Sequence, residues 1–236
     1  MSRILGVLGG MGPAATVAFL ARVQALTPAQ GDADHIRVVM DMNPQVPDRN
    51  TRPGEAEAEL AAMAQTLATA GAQVLAMPCN TAHAQKAGIE AVCGAGGPTF
   101  IDMIAATVAA ARAHAARRVG ILATPGGEAL YATALEADGM QPVLLQGADR
   151  NAFLACVYGV KRGDAGPENR AEMARLARAL ARDGAAVVLA GCTEVPLLLD
   201  ADAVTVPLID SAEVLAQACV AACLSAKSSD DGSDVA

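Results

Sequence analysis

The sequence is poor in aromatic residues and in positive charge. Of its 236 residues only 2% are aromatic, none is tryptophan, and the net charge is −8. Binding to a phosphate backbone depends on clustered lysine and arginine, and single strands are commonly held by stacking on aromatic rings. We therefore expect neither nucleic acid nor an anionic membrane as a partner, and we expect a small-molecule ligand.

The chain also lacks a membrane-spanning apolar run and a secretion signal. No apolar run approaches the roughly 20 residues that cross a bilayer, and residues 9–13, rich in glycine, interrupt the first short one. These absences predict a cytoplasmic protein. In that compartment the six cysteines are expected to be thiols, and residues 225–236, rich in serine and aspartate, are expected to form a disordered tail.

What the sequence has in abundance is apolar segments that alternate between strand and helix patterns. Hydrophobic residues make up 53% of the chain, and helical patterns such as 55–70 and 168–183 each end at a glycine that fits a C-terminal cap, Gly71 and Gly184. Several strand segments are continuously apolar, which is typical of parallel strands covered on both faces. The candidate strands are 4–8, 36–42, 74–77, 99–101, 119–123, 143–146, 186–190 and 204–209.

A repeat relates the two halves of the chain. Five residues of the first half recur 113 positions later in the same order: Leu67, Gly71, Ala72, Val74 and Cys79 return as Leu180, Gly184, Ala185, Val187 and Cys192. The repeat predicts two pseudo-symmetric α/β domains with parallel sheets, formed by residues 1–97 with 209–224 and by residues 98–208. Ligands of such sheets bind beyond the carboxyl ends of the strands, so we expect the active site in the cleft between the domains.

Cys79 and Cys192 are the candidate catalytic residues. Each follows a predicted strand and precedes a helical segment, whose N-terminal N–H groups favour a thiolate. A lone cysteine among small apolar residues is usually a buried apolar residue, and that interpretation holds for the four others. Those four are Cys93, Cys156, Cys219 and Cys223. The equivalent placement of Cys79 and Cys192 instead predicts two thiols that handle a proton on opposite faces of one small molecule.

Each half also carries a cation at a comparable distance before its cysteine. Arg49 lies 30 residues before Cys79, and Lys161 lies 31 residues before Cys192. One cation from each half suits a substrate with two carboxylates. Taken singly, each cation is explained equally well as a solvated surface residue.

Four segments that contain these residues resemble the cofactor-independent aspartate/glutamate racemases, and specifically their aspartate racemase branch. The segments are Leu-Gly-Gly-Met-Gly-Pro at 8–13, Asn-Pro-Gln-Val-Pro-Asp-Arg at 43–49, Met-Pro-Cys-Asn-Thr-Ala-His at 77–83 and Ala-Gly-Cys-Thr-Glu at 190–194. The glutamate racemase branch has Asp-Ser-Gly after its first strand and a histidine after its second Cys-Thr. Here those places hold Gly9-Gly10-Met11 and Glu194, which favours aspartate or a broader substrate range.

The resemblance implies inversion at the α-carbon of an acidic amino acid, with neither pyridoxal phosphate nor a metal as cofactor. One cysteine thiolate removes the α-proton while the other thiol returns a proton from the opposite face. The resemblance also implies a homodimer, and it assigns auxiliary roles to His83 and Thr124. The implied substrate-binding residues are Met11, Gln45, Arg49, Asn80, Thr81, Lys161, Thr193 and Glu194.

Some of these roles have equally good structural explanations. His83 lies four residues after Cys79, so on a helix it would share a face with the thiol and tune it, but it also fits a buried structural histidine. Glu194 fits an anchor for the substrate ammonium, a proton relay or a helix cap. Ile101 with Asp102 recurs as Ile209 with Asp210, 108 positions later, but the two aspartates are predicted to be helix caps rather than catalysts.

Three alternatives remain open. The segment 10–15 matches the glycine pattern of dinucleotide-binding proteins, with Asp41 placed as a ribose ligand. A zinc site formed by Cys79, His83 and Cys192 has a possible spacing but lacks the close cysteine pairs of structural zinc sites. An isomerase of an unsaturated diacid would use the same two thiols, one of them as a covalent nucleophile.

Overall fold

The chain forms two parallel sheets of four strands each. The computed structural model describes residues 2–49, 51–52 and 55–225, so the predicted disordered tail beyond Ser225 lies outside the described residues. The strands are β1 (Leu5–Gly9), β2 (Val38–Met42), β3 (Val74–Ala76), β4 (Thr99–Ile101), β5 (Arg118–Leu122), β6 (Gln141–Leu144), β7 (Val187–Ala190) and β8 (Leu208–Asp210). The helices are α1 (Pro13–Leu26), α2 (Ala56–Thr69), α3 (Ala87–Val92), α4 (Met103–Ala113), α5 (Pro125–Ala137), α6 (Gly147–Lys161), α7 (Pro167–Arg182) and α8 (Ser211–Leu224). None of the helices in the described ranges is both long and apolar enough to cross a membrane.

The two sheets have the same topology. Their strand orders are β2-β1-β3-β4 and β6-β5-β7-β8, and all neighbouring strands are parallel. Helices cover both faces of each sheet, so four apolar clusters form, two per sheet. The predicted fold class of two pseudo-symmetric α/β domains is confirmed.

The repeated Leu, Gly and Ala are explained by a shared helix end. Gly71 follows α2 with φ of 90°, and Gly184 follows α7 with φ of 92°. In each case the next residue donates its N–H back to the repeated leucine carbonyl, over 3.0 Å from Ala72 to Leu67 and over 3.1 Å in the second half. This bond and the left-handed glycine define a Schellman cap. The predicted glycine caps are therefore confirmed, and this part of the repeat is structural.

Two glycines at equivalent places of β1 and β5 keep these helix ends close to their sheets. A Cβ added to Gly6 of β1 would lie 2.7 Å from the Cβ of Ala72, and one added to Gly120 of β5 would lie 3.1 Å from the Cβ of Ala185. Such short separations leave no room for a side chain. Glycine at both positions therefore lets the two helix ends pack directly on the central strands.

The chain crosses between the sheets at two aspartates. Asp102 follows β4 and caps α4, where its Oδ1 accepts from the N–H groups of Ile104 and Ala105. Asp210 ends β8 and caps α8 in the same way. Both were predicted as caps, and this is confirmed. Because α4 packs on the second sheet and α8 on the first, these two helices contact each other between the sheets.

Several boundaries differ from the sequence prediction. The crossings at Asp102 and Asp210 put 99–101 in the first sheet and Ile209 in the second, whereas the predicted domain boundaries put them the other way round. Strand β6 begins two residues earlier than predicted, because an edge strand tolerates Pro142. Strand β8 begins four residues later than predicted, because only 208–210 pair with β7.

Candidate active site

Cys79 and Cys192 lie at equivalent strand ends and border the same cavity. Two residues separate Cys79 from the end of β3, and one residue separates Cys192 from the end of β7. Both are buried, with 6% and 8% of their surface exposed. Both contribute to the wall of one cavity, which we call the inner cavity, and its other walls come from both halves of the chain.

The inner cavity is lined entirely by residues that the sequence had singled out. Its lining residues are Met11, Arg49, Cys79, Asn80, Thr81, Thr124, Lys161, Cys192, Thr193 and Glu194. Its volume of about 20 Å³ holds one water molecule but no amino acid. A substrate can therefore reach the two sulfur atoms only when the side chains around the cavity move apart.

A larger pocket adjoins the inner cavity on its outer side. This outer pocket has a volume of about 630 Å³ and shares Met11, Arg49, Lys161 and Glu194 with the inner cavity. The predicted residue Gln45 lines the outer pocket rather than the inner one. The four shared side chains therefore lie between the inner cavity and the outer pocket.

Another pocket of similar size lies at the opposite end of the first sheet. It has a volume of about 670 Å³, and Arg3, Gln73 and Thr99, all near the amino ends of strands, are part of its lining. Among its described lining residues are none of those predicted for the site. Since ligands of parallel sheets bind at the carboxyl ends, we place the candidate site at the two cysteines.

Cys192 is held as a thiol by Glu194. Its Sγ lies 3.0 Å from Oε2 of Glu194 and donates to it, and Oγ1 of Thr193 lies 3.4 Å from the same oxygen. Burial raises the pKa of Cys192 well above its ordinary value, and the negative charge of Glu194 raises it further. The other carboxylate oxygen of Glu194 lies 4.0 Å from Nζ of Lys161. Glu194 thus links one catalytic candidate to one of the two cations, and its side chain caps no helix.

Cys79 has a different electrostatic environment. Burial raises its pKa, but the positive charge of Arg49 and the backbone N–H of Ala82 both act to lower it. At Cys192 the charge of Glu194 is the largest influence on the pKa after burial. At Cys79 its influence on the pKa is smaller than that of burial, Arg49 and Ala82. Burial thus disfavours the thiolate at both positions, and the surroundings of Cys79 disfavour it less than those of Cys192.

In the part of the chain that the structure describes, neither cysteine is directly followed by the α-helix that the sequence predicted. Short 3₁₀ turns, Thr81–Gln85 and Val195–Leu197, follow Cys79 and Cys192. A single 3₁₀ turn aligns few peptide dipoles, and burial raises the pKa of both thiols. The expectation that helix ends would favour both thiolates is therefore wrong.

His83 supports the backbone of Cys79 and does not reach its thiol. Its Nε2 accepts from the N–H of Met103 at 3.1 Å, so Nδ1 carries the proton and donates to the carbonyl of Cys79 at 2.9 Å. Burial lowers the pKa of His83, which keeps the ring neutral. We predicted that His83 would share a helical face with the thiol of Cys79 and tune its pKa. This does not occur, because the segment is a 3₁₀ turn. With both ring nitrogens bonded within the protein, His83 is also unavailable as the zinc ligand of the alternative considered above.

Asn80 and Thr81 connect the two halves of the chain. The amide of Asn80 donates to Oγ of Ser211 at 3.1 Å and accepts from the hydroxyl of Tyr131 at 2.5 Å. Oγ1 of Thr81 lies 2.7 Å from Oγ1 of Thr124. Sequence reasoning missed Tyr131 and Ser211, although Ser211 directly follows the repeated Asp210 and Tyr131 is one of only two tyrosines.

The two predicted cations approach the inner cavity from opposite halves. Nη1 of Arg49 donates to the carbonyls of Val46 and Pro47 at 3.1 and 3.0 Å, so the side chain is held against its own loop. Lys161 is the last residue of α6 and lies beside Glu194 and over the ring of Tyr158. The wall thus carries one cation from each half, as the spacing in the sequence predicted.

Comparisons with known proteins identify the family of the chain. The sequence model of the family described as Asp/Glu/Hydantoin racemase matches residues 8–219. The broad specificity amino-acid racemase RacX of Bacillus subtilis (strain 168) is 25% identical over 233 residues, which cover 95% of this chain and 100% of that protein. The structure of Picrophilus torridus aspartate racemase has a TM-score of 0.81 and 26% identity, covering 92% of this chain and 93% of that chain. A Francisella tularensis glutamate racemase solved with D-glutamate has a TM-score of 0.68 at 17% identity, covering 92% and 79%, and so shares the fold. With most of its length matched by the family model, this chain belongs to the Asp/Glu/hydantoin racemase family.

Proposed function

We propose that this protein racemises an acidic amino acid, with aspartate as the preferred substrate, by means of two thiols and without a cofactor. The observation that carries the proposal is that Cys79 and Cys192, at equivalent strand ends of the two halves, line one buried cavity. The names of two relatives support the reaction: one is a broad specificity amino-acid racemase and the other an aspartate racemase.

The chemistry consists of two proton transfers through one carbon atom. The thiolate of one cysteine takes the α-hydrogen as a proton, and the electron pair left behind is delocalised into the α-carboxylate. The thiol of the other cysteine then gives its proton to the opposite face of the same carbon, which inverts the configuration. At the end the first cysteine is a thiol and the second a thiolate, so the enzyme is ready for the reverse direction.

The charges of the wall are complementary to aspartate. The inner cavity has two cations, Arg49 and Lys161, and one carboxylate, Glu194. Aspartate has the opposite set, two carboxylates and one ammonium group. Charge-assisted hydrogen bonds to a carboxylate are about twice as strong as neutral ones, and donors such as Thr81 and Thr193 stabilise the charge that grows on the α-carboxylate. This complementarity favours an acidic substrate over a neutral one.

The surroundings of the thiols support different starting states for the two. Cys192 donates to Glu194 and is proposed as the acid, while Cys79, whose raised pKa is opposed by the charge of Arg49, is proposed as the base. The enantiomer that presents its α-hydrogen to Cys79 can react at once. The other enantiomer requires a thiolate at Cys192, and that state arises when Cys192 has given up its proton in a preceding turnover.

The test is a panel of L- and D-amino acids incubated with the protein in ²H₂O, with α-deuterium incorporation and optical inversion followed together. We expect inversion of both enantiomers of aspartate, with deuterium at the α-carbon of the product, and slower or no inversion of alanine. Inversion that depends on added pyridoxal phosphate would overturn the cofactor-independent mechanism. Inertness toward the whole panel, together with a stable adduct of an unsaturated diacid on one cysteine, would instead favour the diacid isomerase.

A further inference from the structure

Tyr131 touches the residues next to both catalytic candidates. It lies on α5 and is fully buried, and its hydroxyl donates to Oδ1 of Asn80, the residue after Cys79. Its ring lies against the backbone of Gly191, the residue before Cys192, where an added Cβ would come within 2.8 Å of the ring carbon Cε2. One rigid side chain therefore contacts both cysteine loops.

A chain of hydrogen bonds continues from Asn80 to the second cysteine loop. Nδ2 of Asn80 donates to Oγ of Ser211 at 3.1 Å, and the hydroxyl of Ser211 donates to the carbonyl of Ala190 at 2.7 Å. Ala190 ends β7, two residues before Cys192. The carbonyl of Ala190 can only accept, so Ser211, Asn80 and Tyr131 each act as the donor to the next group of this chain. Asn80 and Ser211 are both buried, so solvent does not compete for these bonds.

We propose that Tyr131, with Asn80 and Ser211, is a positioning group that fixes the separation of the two thiols. This inference rests on the two-thiol racemisation proposed above. It changes the role of Asn80, whose side chain has both polar atoms bonded within the protein and positions the loops rather than the substrate. Racemisation needs both sulfur atoms within reach of one carbon at once, and displacements of about 1 Å can lower a rate about 100-fold.

The matched variant is Tyr131→Phe, which keeps the ring against Gly191 and removes the hydroxyl that donates to Asn80. In ²H₂O we expect its inversion rate on aspartate to fall at least about tenfold, while α-deuterium exchange with retention of configuration falls less. Exchange with retention needs one thiol, whereas inversion needs both, so the ratio of exchange to inversion should rise. A loss of folded protein would lower both rates together and leave the ratio unchanged.

Two further variants make the test decisive. Ser211→Ala breaks the bond to Ala190 and should also raise the ratio of exchange to inversion. Thr27→Val is the control, because it removes another buried hydroxyl that donates to a backbone carbonyl, that of Val23 at the end of α1, and it should leave the ratio unchanged. If Tyr131→Phe does not fold, the ratio in Ser211→Ala decides alone.

The outcomes separate this inference from the proposed function. A wild-type protein that inverts aspartate, with an unchanged ratio in Tyr131→Phe and Ser211→Ala, would overturn the positioning role and leave the racemase mechanism intact. A wild-type protein that inverts no amino acid would overturn the proposed function, and the positioning inference with it. A raised ratio in the folded variants, with a normal ratio in Thr27→Val, supports both.

Discussion

The two halves of the molecule provide the same position for a cysteine but different surroundings. The residue two places after Cys79 is Thr81, which bonds to a threonine of the other half. The residue two places after Cys192 is Glu194, which accepts a hydrogen bond from Cys192 itself. Around Cys79 the leading charge is that of Arg49 instead. The repeat thus duplicates the scaffold without duplicating the electrostatics. In the proposed two-thiol mechanism one sulfur must be an acid while the other is a base, and different surroundings favour that division before the first turnover.

Removing either thiol should give the largest effect. In Cys79→Ser and Cys192→Ser we expect inversion of aspartate to fall by about 10² to 10⁴-fold, which is the usual contribution of a positioned acid or base. Each variant should retain slow α-deuterium exchange for one enantiomer only, and the retained enantiomer should differ between the two. The measurement is exchange and inversion in ²H₂O for both enantiomers.

The control for the thiol variants is Cys93→Ser, since Cys93 is a half-buried cysteine outside the inner cavity. It should keep wild-type inversion. Full inversion in both Cys79→Ser and Cys192→Ser would contradict the mechanism, and retention of the same enantiomer in both would contradict opposite placement.

Removing the cation next to Cys79 should have the second-largest effect. Arg49→Ala is expected to lower kcat/KM for aspartate about 10 to 100-fold, since hydrogen bonds to charged groups contribute about 1.5 to 3 kcal/mol. The loss on alanine should be smaller, because alanine lacks the side-chain carboxylate. It should not vanish, because Arg49 also lowers the pKa of Cys79. Arg112→Ala is the matched control, as Arg112 is an exposed arginine that pairs with Asp138 on the surface. Equal losses on aspartate and alanine would count against a side-chain carboxylate site.

Neutralising the carboxylate next to Cys192 should make the two thiols more alike. Glu194 raises the pKa of Cys192, both by its charge and by accepting from its thiol. In Glu194→Gln that pKa should fall, so at a fixed pH below it more thiolate is present. Alkylation of Cys192 by iodoacetamide, followed by mass spectrometry across pH, should become about tenfold faster, since one pKa unit is a factor of ten in thiolate. Alkylation of Cys79 in the same sample is the internal control and should change less. An unchanged alkylation rate at Cys192 would show that Glu194 does not raise the pKa of this thiol.

The sequence predicted the fold well because the repeat and the apolar pattern reflect packing that is local along the chain. The helix ends at Gly71 and Gly184 were predictable, since a left-handed glycine after a helical pattern is a local feature. The start of β8 was not, because which residues of 204–209 pair is decided by β7, far away in sequence. The same holds for the crossings at Asp102 and Asp210, which depend on the sheet against which each following helix packs.

The site was predictable where the residue types themselves carry the chemistry. Every residue lining the inner cavity was named from the repeat or the resemblance, including Cys79 and Cys192. What the sequence missed acts through contacts between the halves: Tyr131 and Ser211 have no motif, and their roles exist only when both cysteine loops are in place. His83 was misjudged because a spacing of four suggests a shared helical face, whereas the segment is a 3₁₀ turn.

The two capping aspartates offer the smallest and most direct comparison of the halves. For Asp102, burial raises the pKa, but the hydrogen bonds from Lys86 and from the backbone N–H of Ala105 lower it more. The pKa of Asp102 is therefore below its ordinary value. For Asp210, burial raises the pKa and outweighs the charge of Arg22 and the N–H of Ala212. Ionisation of the capping aspartate therefore adds to the stability of the fold in one half and lowers it in the other.

Asn preserves an N-cap, so Asp102→Asn and Asp210→Asn change only the charge. A depressed folded pKa adds stability above the unfolded value, about 3.9, and this stability is lost as the pH falls through the folded pKa. Asp102→Asn should therefore lower the free energy of unfolding at pH 7 by up to about 1 kcal/mol and flatten its acid dependence. A raised folded pKa has the opposite sign, because stability falls as the pH rises from the unfolded to the folded pKa. Asp210→Asn should therefore preserve or raise stability at pH 7, and urea titrations at pH 7 and pH 3 that gave the two variants the same shift would contradict this asymmetry.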